Sequence, residues 1–392
     1  MTHRTVIVGA GIAGVSAAAA MRRSGYEGEI DLLGEEPELP YRRPPVSKEI
    51  VRGEKTPDEI RIKKAEWYDQ QSVNLRTGVT VAAIDPEAHV VRLVDGEEVG
   101  YDQLLLATGG RARSPWSASG IRTLRSLADA PQLQGELTPG SRLVVVGAGL
   151  IGSEIAASAR TMGCDVTLLE TAALPLPRLL PPELGELYVD LHKSEGTELH
   201  TGVEVEAIED DGDQTVVRST DGRTWSAPVV VVAVGMQPNV ELAEAAGIEV
   251  ADGIVVDELG RTSAPDVFAA GDVANQPNGV LGGRHRVEHW QGAQNHGSAV
   301  GKAMAGGQEP FVEVPWSWSD QYGHNLQVSG WPEAAHELVV HGSLADRDFI
   351  AYLLEDGVVR GAVGIGRPRD IRAAAAWIAA GQRLADVLDG EA

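Results

Sequence analysis

Residues 6–26 read VIVGAGIAGVSAAAAMRRSGY and residues 144–164 read VVVGAGLIGSEIAASARTMGC, a match held at a constant offset of 138 residues. Close to half of the positions are identical. A period this long is no solenoid repeat; it indicates two copies of one mononucleotide-binding unit. Each copy opens on a short β-branched run, the signature of a buried parallel strand. Glycines then make a tight turn, and an alanine-rich segment follows with helical spacing. A second strand is expected at residues 30–33 and 166–169, and an acidic residue, Glu35 or Glu170, closes each copy.

The spacing of the glycines gives each a separate task. In the first copy Gly9 permits the turn, Gly11 lets the backbone approach a pyrophosphate, and Gly14 lets the helix pack close to the strand. The helix N-terminal amides, Ala13 among them, then face the phosphates, and Glu35 is spaced to accept from an adenosine ribose. The second copy repeats this with Gly147, Gly149, Ile151, Gly152 and Glu170, and Gly235 ends a further strand-like run at residues 229–235. Two sites imply two dinucleotides, most economically FAD held permanently in the first and a nicotinamide visiting the second. A carboxylate at Glu170 favours a free ribose 2′-hydroxyl and opposes a 2′-phosphate, so NADH is expected over NADPH. Arg178, eight residues downstream, is close enough in sequence to weaken that preference.

Composition narrows the chemistry. With 392 residues the chain should split into more than one core. Its single cysteine, Cys164, excludes an intrachain disulfide, a paired-thiol redox centre and a thiolate-held iron–sulfur cluster within one chain. No metal site is expected, so electron chemistry must come from a non-covalent cofactor. A net charge of −24 argues against a nucleic-acid partner. No apolar run is long enough to span a membrane, and Met1 leads into a strand without a signal peptide; the expected location is cytoplasmic. Between residues 42 and 64 cations outnumber acids, a pattern that fits either a solvated loop face or a docking patch for an acidic protein.

Glycine turns also end the runs at residues 104–110 (LLLATGG) and 229–235 (VVVVAVG), with a further landmark, DVFAAGDVA, at residues 266–274. Beyond about residue 310 the pattern alternates, around Trp316, Trp318 and Trp331 and at residues 349–354 and 358–364, as antiparallel strands do. A helix is expected near residues 369–380. The fold class is therefore α/β, two Rossmann-like dinucleotide-binding domains of glutathione-reductase-like kind plus a C-terminal α+β domain. Residues 1–110 and 236–310 are expected to form a discontinuous FAD-binding domain, 111–235 the NADH-binding domain and 311–392 the C-terminal domain.

The motifs GAGIAG, PYRRPPVSK, ATGG, GAGLIGSE, AVGMQPN, FAAGDVA, VEHWQGAQNHG and WSWSDQYGHNLQVSG, in that order over nearly the whole chain, resemble the oxygenase-coupled NADH–ferredoxin reductases, the group that includes putidaredoxin reductase and the biphenyl dioxygenase reductase. PYRRPPVSK and WSDQYG are the most specific of them. The resemblance implies that Asp272 binds the FAD ribityl chain and that Lys48 and Glu154 meet near the reactive flavin edge as the catalytic pair, with Pro44 and Pro45 stiffening the segment that carries Lys48. It aligns Val81, Arg125 and Trp290 with other FAD-contacting positions, though Val81 and Trp290 read equally well as core. Trp318 matches a tryptophan near the flavin and the acceptor surface. Ser317 departs from the family, which commonly carries an aromatic there, so docking or flavin access is expected to differ. The implied activity is hydride transfer from NADH to FAD, then single electrons to an iron–sulfur ferredoxin serving a monooxygenase or Rieske dioxygenase. A rubredoxin is the alternative acceptor, and a flavin redox sensor or scaffold similar to apoptosis-inducing factor is the reading from another class. A monomer or weak dimer is expected.

Overall fold

A computed structural model describes residues 3–280, 282–332 and 337–388. The chain forms two compact units: Met1–Arg42, Pro57–Arg111 and Gln237–Glu313 make the first, and Arg43–Thr56, Ala112–Met236 and Val314–Ala392 the second.

The sequence repeat is a structural repeat. Strands Arg4–Val8 and Arg142–Val146, and helices Ile12–Arg23 and Leu150–Thr161, begin and end at the same 138-residue offset. In the first unit a five-stranded parallel sheet runs in the order Val267–Ala269, Gln103–Leu106, Arg4–Val8, Glu29–Leu33, Val73–Arg76. In the second unit a parallel sheet runs Glu198–His200, Asp165–Leu169, Arg142–Val146, Val229–Val232, Ile121–Arg122. The inner strands Arg4–Val8, Gln103–Leu106, Arg142–Val146 and Val229–Val232 are buried along nearly their whole length, as unbroken aliphatic runs require for sheets covered on both faces. Each unit adds a three-stranded antiparallel sheet, Val81–Asp85 to Glu98–Gly100 in the first and Val205–Asp211 to Thr224–Ala227 in the second.

In the first unit, the helix Trp290–Met304 lies on Ile12–Arg23 so closely that a Cβ at Gly297 or Gly301 would strike the backbone of Ala13 or Ala17. The glycines bring backbone to backbone there, and the same contact leaves Gly271 against the Ala13 side chain.

The C-terminal part of the second unit is a five-stranded antiparallel sheet, ordered Trp316–Gln321, His324–Gly330, Val358–Ile365, Asp348–Glu355, Glu337–Ser343. Helix Pro368–Ala380 buries Ile371, Ala374 and Ile378 and stops at Gly381, whose φ of +60° is the left-handed helix end that glycine adopts without strain. Helix Pro182–Ser194 packs Tyr188 and Leu191 into one core with Leu326, Phe349 and Ile365 of this sheet. A polar clasp reinforces it: the Tyr322 hydroxyl lies 2.9 Å from His192 Nδ1 and 2.8 Å from Thr197 Oγ1. Burial lowers the His192 pKa to about 4, so the ring is neutral there. Among the described residues no helix is long and apolar enough to cross a membrane.

Candidate active site

Each unit carries its own glycine cradle, and the two are built alike. Gly9 and Gly147 have φ of +111° and +101°, a region costly for any other residue. Their amides donate to Leu33 and Leu169 carbonyls at 2.8 and 2.7 Å. A Cβ on either would fall on the carbonyl oxygen of Ala107 or Ala233 at the end of the neighbouring strand. Gly14 and Gly152 lie against the carbonyls of Gly9 and Gly147 in the same way. Gly11 and Gly149 differ, for a Cβ there would meet nothing within 4 Å. They face open space at the start of helices of 12 residues each that have no side-chain cap and no acid in the first turn. Backbone N–H groups and the positive helix end are thus exposed together, the arrangement that receives a phosphate.

The two acids that close the repeats behave differently. Glu170 turns back into its own cradle, accepting from the Ala148 amide at 2.7 Å and the Ala172 amide at 2.8 Å. Each carboxylate oxygen retains a second lone pair for a ribose hydroxyl. Glu35 is exposed, and it follows its strand by one residue more than Glu170 does, since Gly34 takes the place next to Leu33. Ile151 stands exposed at 43% on the first turn of the Leu150–Thr161 helix, a large aliphatic surface beside the open Gly149. Gly235 has φ of +108° and its carbonyl accepts from the Arg113 amide at 3.0 Å. Arg178 is exposed, two residues past Leu176, whose amide donates to the Ala148 carbonyl at 2.9 Å.

In the second unit Lys48 and Glu154 meet. Lys48 lies in a π-helix, Val46–Ile50, packed on the Leu150–Thr161 helix that carries Glu154. π-Helical turns are rare and concentrate at functional sites. Lys48 Nζ donates to Glu154 Oε1 at 3.0 Å, and the two residues are 5% and 3% exposed. So dry an ion pair must be fully hydrogen-bonded to persist. Ser47 Oγ donates to Glu154 Oε2 at 2.5 Å and Ser319 Oγ to Oε1 at 2.8 Å. Asp320 Oδ2 is 4.0 Å from Lys48 Nζ. The sequence pointed to Lys48 and Glu154, whereas Ser47 and Ser319 went unnoticed; two buried hydroxyls in unrelated segments leave no spacing to read. Arg125, also in this unit, fixes its loop by backbone bonds, accepting from Arg43 at 2.9 Å and donating to Asp129 at 2.8 Å.

In the first unit Asp272 follows Gly271, which abuts Ala13 of the first cradle. The Gly271 amide donates to His296 Nδ1 at 3.2 Å. Desolvation lowers the basicity of His289, and the charge of Asp272 opposes that. Trp290 opens the helix Trp290–Met304 next to it. Gly271 thus sets Asp272 beside the first cradle, with His289 within electrostatic reach of it. Val81 is half-buried and packs on the hydrophobic core that includes Val8, Ile84 and Leu93.

Strand Trp316–Gln321 has two distinct faces. Ser317, Ser319 and Gln321 are buried; Trp316, Trp318 and Asp320 alternate with them and are partly exposed. Trp316 and Trp318 stack, with centroids 5.0 Å apart and planes inclined by 25°. One expectation changes here. Ser317 points into the protein at 4% exposure, so its small size does not alter the tryptophan face; the second aromatic on that face is Trp316. The basic segment holds several ion pairs. Lys48 is buried on Glu154, while Arg52, Lys55 and Arg61 pair with Glu54, Glu49 and Asp58. Lys63 lies over the Trp67 ring at 5.3 Å. Glu54, Glu49 and Asp58 belong to the same segment, so those three pairs leave its excess of cations in place and both readings of it stand.

Glu313 was not singled out by the sequence. It accepts from Asn295 and lies beside Gly292, and burial raises its pKa from 4.5 to about 7. Between those values the folded chain keeps a proton that the unfolded chain releases, so stability falls as pH rises through that window. Glu313→Gln should remove this loss. Thermal melts should show the variant gaining on the wild type from pH 4.5 to about 7; parallel pH profiles would refute the assignment.

The family described as pyridine nucleotide-disulphide oxidoreductase matches residues 3–297, and that described as reductase C-terminal matches residues 316–389. The chain is 40% identical over 391 residues to the anthranilate 1,2-dioxygenase system ferredoxin–NAD(+) reductase component of Burkholderia cepacia, covering 97% of this chain and 96% of that one. It is 37% identical over 373 residues to putidaredoxin reductase of Pseudomonas putida, covering 93% and 88%. The reductase in the covalent putidaredoxin reductase–putidaredoxin complex superposes with a TM-score of 0.92 at 35% identity, over 97% of this chain and 93% of that one. An NAD-dependent persulfide reductase from A. fulgidus superposes at 0.89 with 25% identity, over 98% and 78%.

Proposed function

Because the chain belongs to the pyridine nucleotide-disulphide oxidoreductase family and continues into a reductase C-terminal domain, we propose that it is an FAD-dependent NADH:ferredoxin reductase, passing electrons to an iron–sulfur ferredoxin of an oxygenase system. The observation that carries this reading is the pair of open glycine cradles in a chain whose lone thiol is sequestered. Cys164 is fully buried, 3.3 Å from Ser141 Oγ and 3.5 Å from the Thr138 carbonyl. It has no second cysteine to pair with, so the disulphide chemistry in the family's name is closed to it. Two dinucleotides fit the residues present: each cradle leaves room at its middle glycine and presents an uncapped helix end to a pyrophosphate.

On this reading FAD is held by residues 1–110 and 236–310, through Gly9, Gly11, Ala13, Gly14, Glu35, Val81, Asp272 and Trp290, with Lys48 and Arg125 also in contact. NADH is held by residues 111–235 through Gly147, Gly149, Ile151, Gly152, Glu170 and Gly235. FAD supplies, when bound, the capacity to accept a hydride and to release the electrons singly. The chain's own work is binding, orientation and electrostatics. Lys48 keeps a cation in a water-poor setting where charge is felt strongly, and Glu154 fixes its direction. Glu170 favours NADH by accepting from a 2′-hydroxyl and repelling a 2′-phosphate. Residues 311–392 face the acceptor, with the Trp316–Trp318 stack as an apolar anchor; paired aromatics are strong anchors at protein interfaces. A cytoplasmic location is in keeping with the free thiol.

The test is cytochrome c reduction by the flavin-loaded protein with NADH and a two-iron ferredoxin. Turnover should depend on the ferredoxin, and Cys164→Ala should keep it within about two-fold, as expected of a buried thiol outside the chemistry. Loss of turnover in Cys164→Ala with FAD content and melting point intact would point to thiol chemistry instead.

A further inference from the structure

The C-terminal strand Trp316–Gln321 does more than present tryptophans. Its inward face reaches the Lys48–Glu154 pair. Ser319 Oγ donates at 2.8 Å to Glu154 Oε1, the oxygen that also receives Lys48 Nζ at 3.0 Å. A hydroxyl has one proton to give. Gln321 Nε2 donates to Ser319 Oγ at 3.0 Å, which occupies an acceptor position on Ser319 and leaves its proton for Glu154. Ser319 is 0% and Gln321 1% exposed, so water does not compete. On the opposite side Ser47 Oγ holds Oε2 at 2.5 Å, and the Ser47 carbonyl is itself held by Ser158 Oγ at 2.9 Å. The carboxylate is gripped on both oxygens by segments far apart in the chain.

We propose that Ser319, supported by Gln321, is a positioning residue that fixes the Glu154 carboxylate against Lys48, so that the strand bearing the Trp316–Trp318 stack also sets how strongly the Lys48 charge is felt. With Ser319 in place, Glu154 divides its acceptor capacity between two donors on Oε1. Without it, the carboxylate turns more fully to Lys48 and neutralises it further. The inference rests on the proposed role of the Lys48–Glu154 pair beside the flavin.

The experiment is a redox titration of the purified flavoprotein in five forms: wild type, Ser319→Ala, Glu154→Gln, the double variant and Lys48→Met, with Ser319→Thr as the conservative control. Ser319→Ala should move the flavin midpoint potential downward, in the direction given by Lys48→Met, and Ser319→Thr, which keeps the hydroxyl, should return it towards wild type. In the Glu154→Gln background the Ser319→Ala shift should vanish, because two groups acting through one contact are not additive. A shift of the same size in both backgrounds would show that Ser319 acts by general packing and overturns the proposal. If Glu154→Gln and Lys48→Met move the potential while Ser319→Ala does not, the Ser319 inference fails alone. If none of them moves it, the reading of the pair fails and takes the inference with it.

Discussion

Lys48→Met should slow the reduction of bound flavin by NADH about a hundred-fold, the loss typical when one preorganised electrostatic group is removed from a dry site. Methionine keeps most of the stem volume, so the π-helix Val46–Ile50 and its packing on the Glu154 helix are preserved. What disappears is the cation 3.0 Å from Glu154 Oε1. Removing one partner of a buried ion pair commonly costs about 3–5 kcal/mol in stability. Here Ser47 and Ser319 continue to donate to the stranded carboxylate, so the folded protein should survive with a lower melting temperature. Stopped-flow absorbance at the flavin band separates the two effects. The rate at saturating NADH should fall while the NADH concentration at half-saturation changes little. A rate within about two-fold of wild type would mark the pair as structural, since a lost electrostatic group of this kind is worth far more.

The second large effect separates two glycines three residues apart. Gly14→Ala pushes a Cβ onto the Gly9 carbonyl, with Ile7 only 3.2 Å away. Neither the turn nor the buried strand can yield, so the protein should lose about 1–3 kcal/mol or more of stability, as overpacked cores do. It should melt earlier even when stripped of FAD. Gly11→Ala meets nothing within 4 Å, and its φ of −71° and ψ of −173° suit alanine. The stripped protein should therefore melt as wild type does. FAD affinity should nonetheless fall about ten-fold or more, equivalent to roughly 1.4 kcal/mol, because the new methyl group occupies the space left for the pyrophosphate. Calorimetry of the stripped proteins and flavin retention on desalting check both halves. Equal flavin retention by Gly11→Ala and wild type would move the pyrophosphate away from this cradle.

Much of the fold was legible because its signals are local. The aliphatic runs, the glycine turns and the 138-residue repeat each fit within a few turns of chain, and the strands and helices appear at the expected places. The C-terminal helix at Pro368–Ala380 starts one residue before the expected position. Lys48 and Glu154 were legible through family motifs rather than through spacing: 106 residues separate them, and only the packing of a π-helix on a second helix unites them. The inward serines were not legible for a related reason. Alternation along WSWSDQ says that Ser319 and Trp318 face opposite ways, but not which face is buried or that Glu154 lies beneath it. The basic run was legible as a count of charges but not as pairs: Arg52, Lys55 and Arg61 take their carboxylates from the same stretch, while Lys48 takes its partner from a distant helix. Glu313 carries no motif at all; its raised pKa comes from burial beside Gly292 and Asn295.

The central claim is that hydride enters from NADH and electrons leave singly to an iron–sulfur protein, with the flavin as the only internal carrier. Double-mixing stopped-flow without oxygen tests it in one measurement. NADH should bleach the flavin of the wild-type protein in the first mix. A two-iron ferredoxin in the second mix should restore the flavin colour as the ferredoxin itself becomes reduced, with two equivalents consumed per flavin. Failure of NADH to bleach the flavin, or a reduced flavin that persists in the presence of the oxidised ferredoxin, would contradict the account.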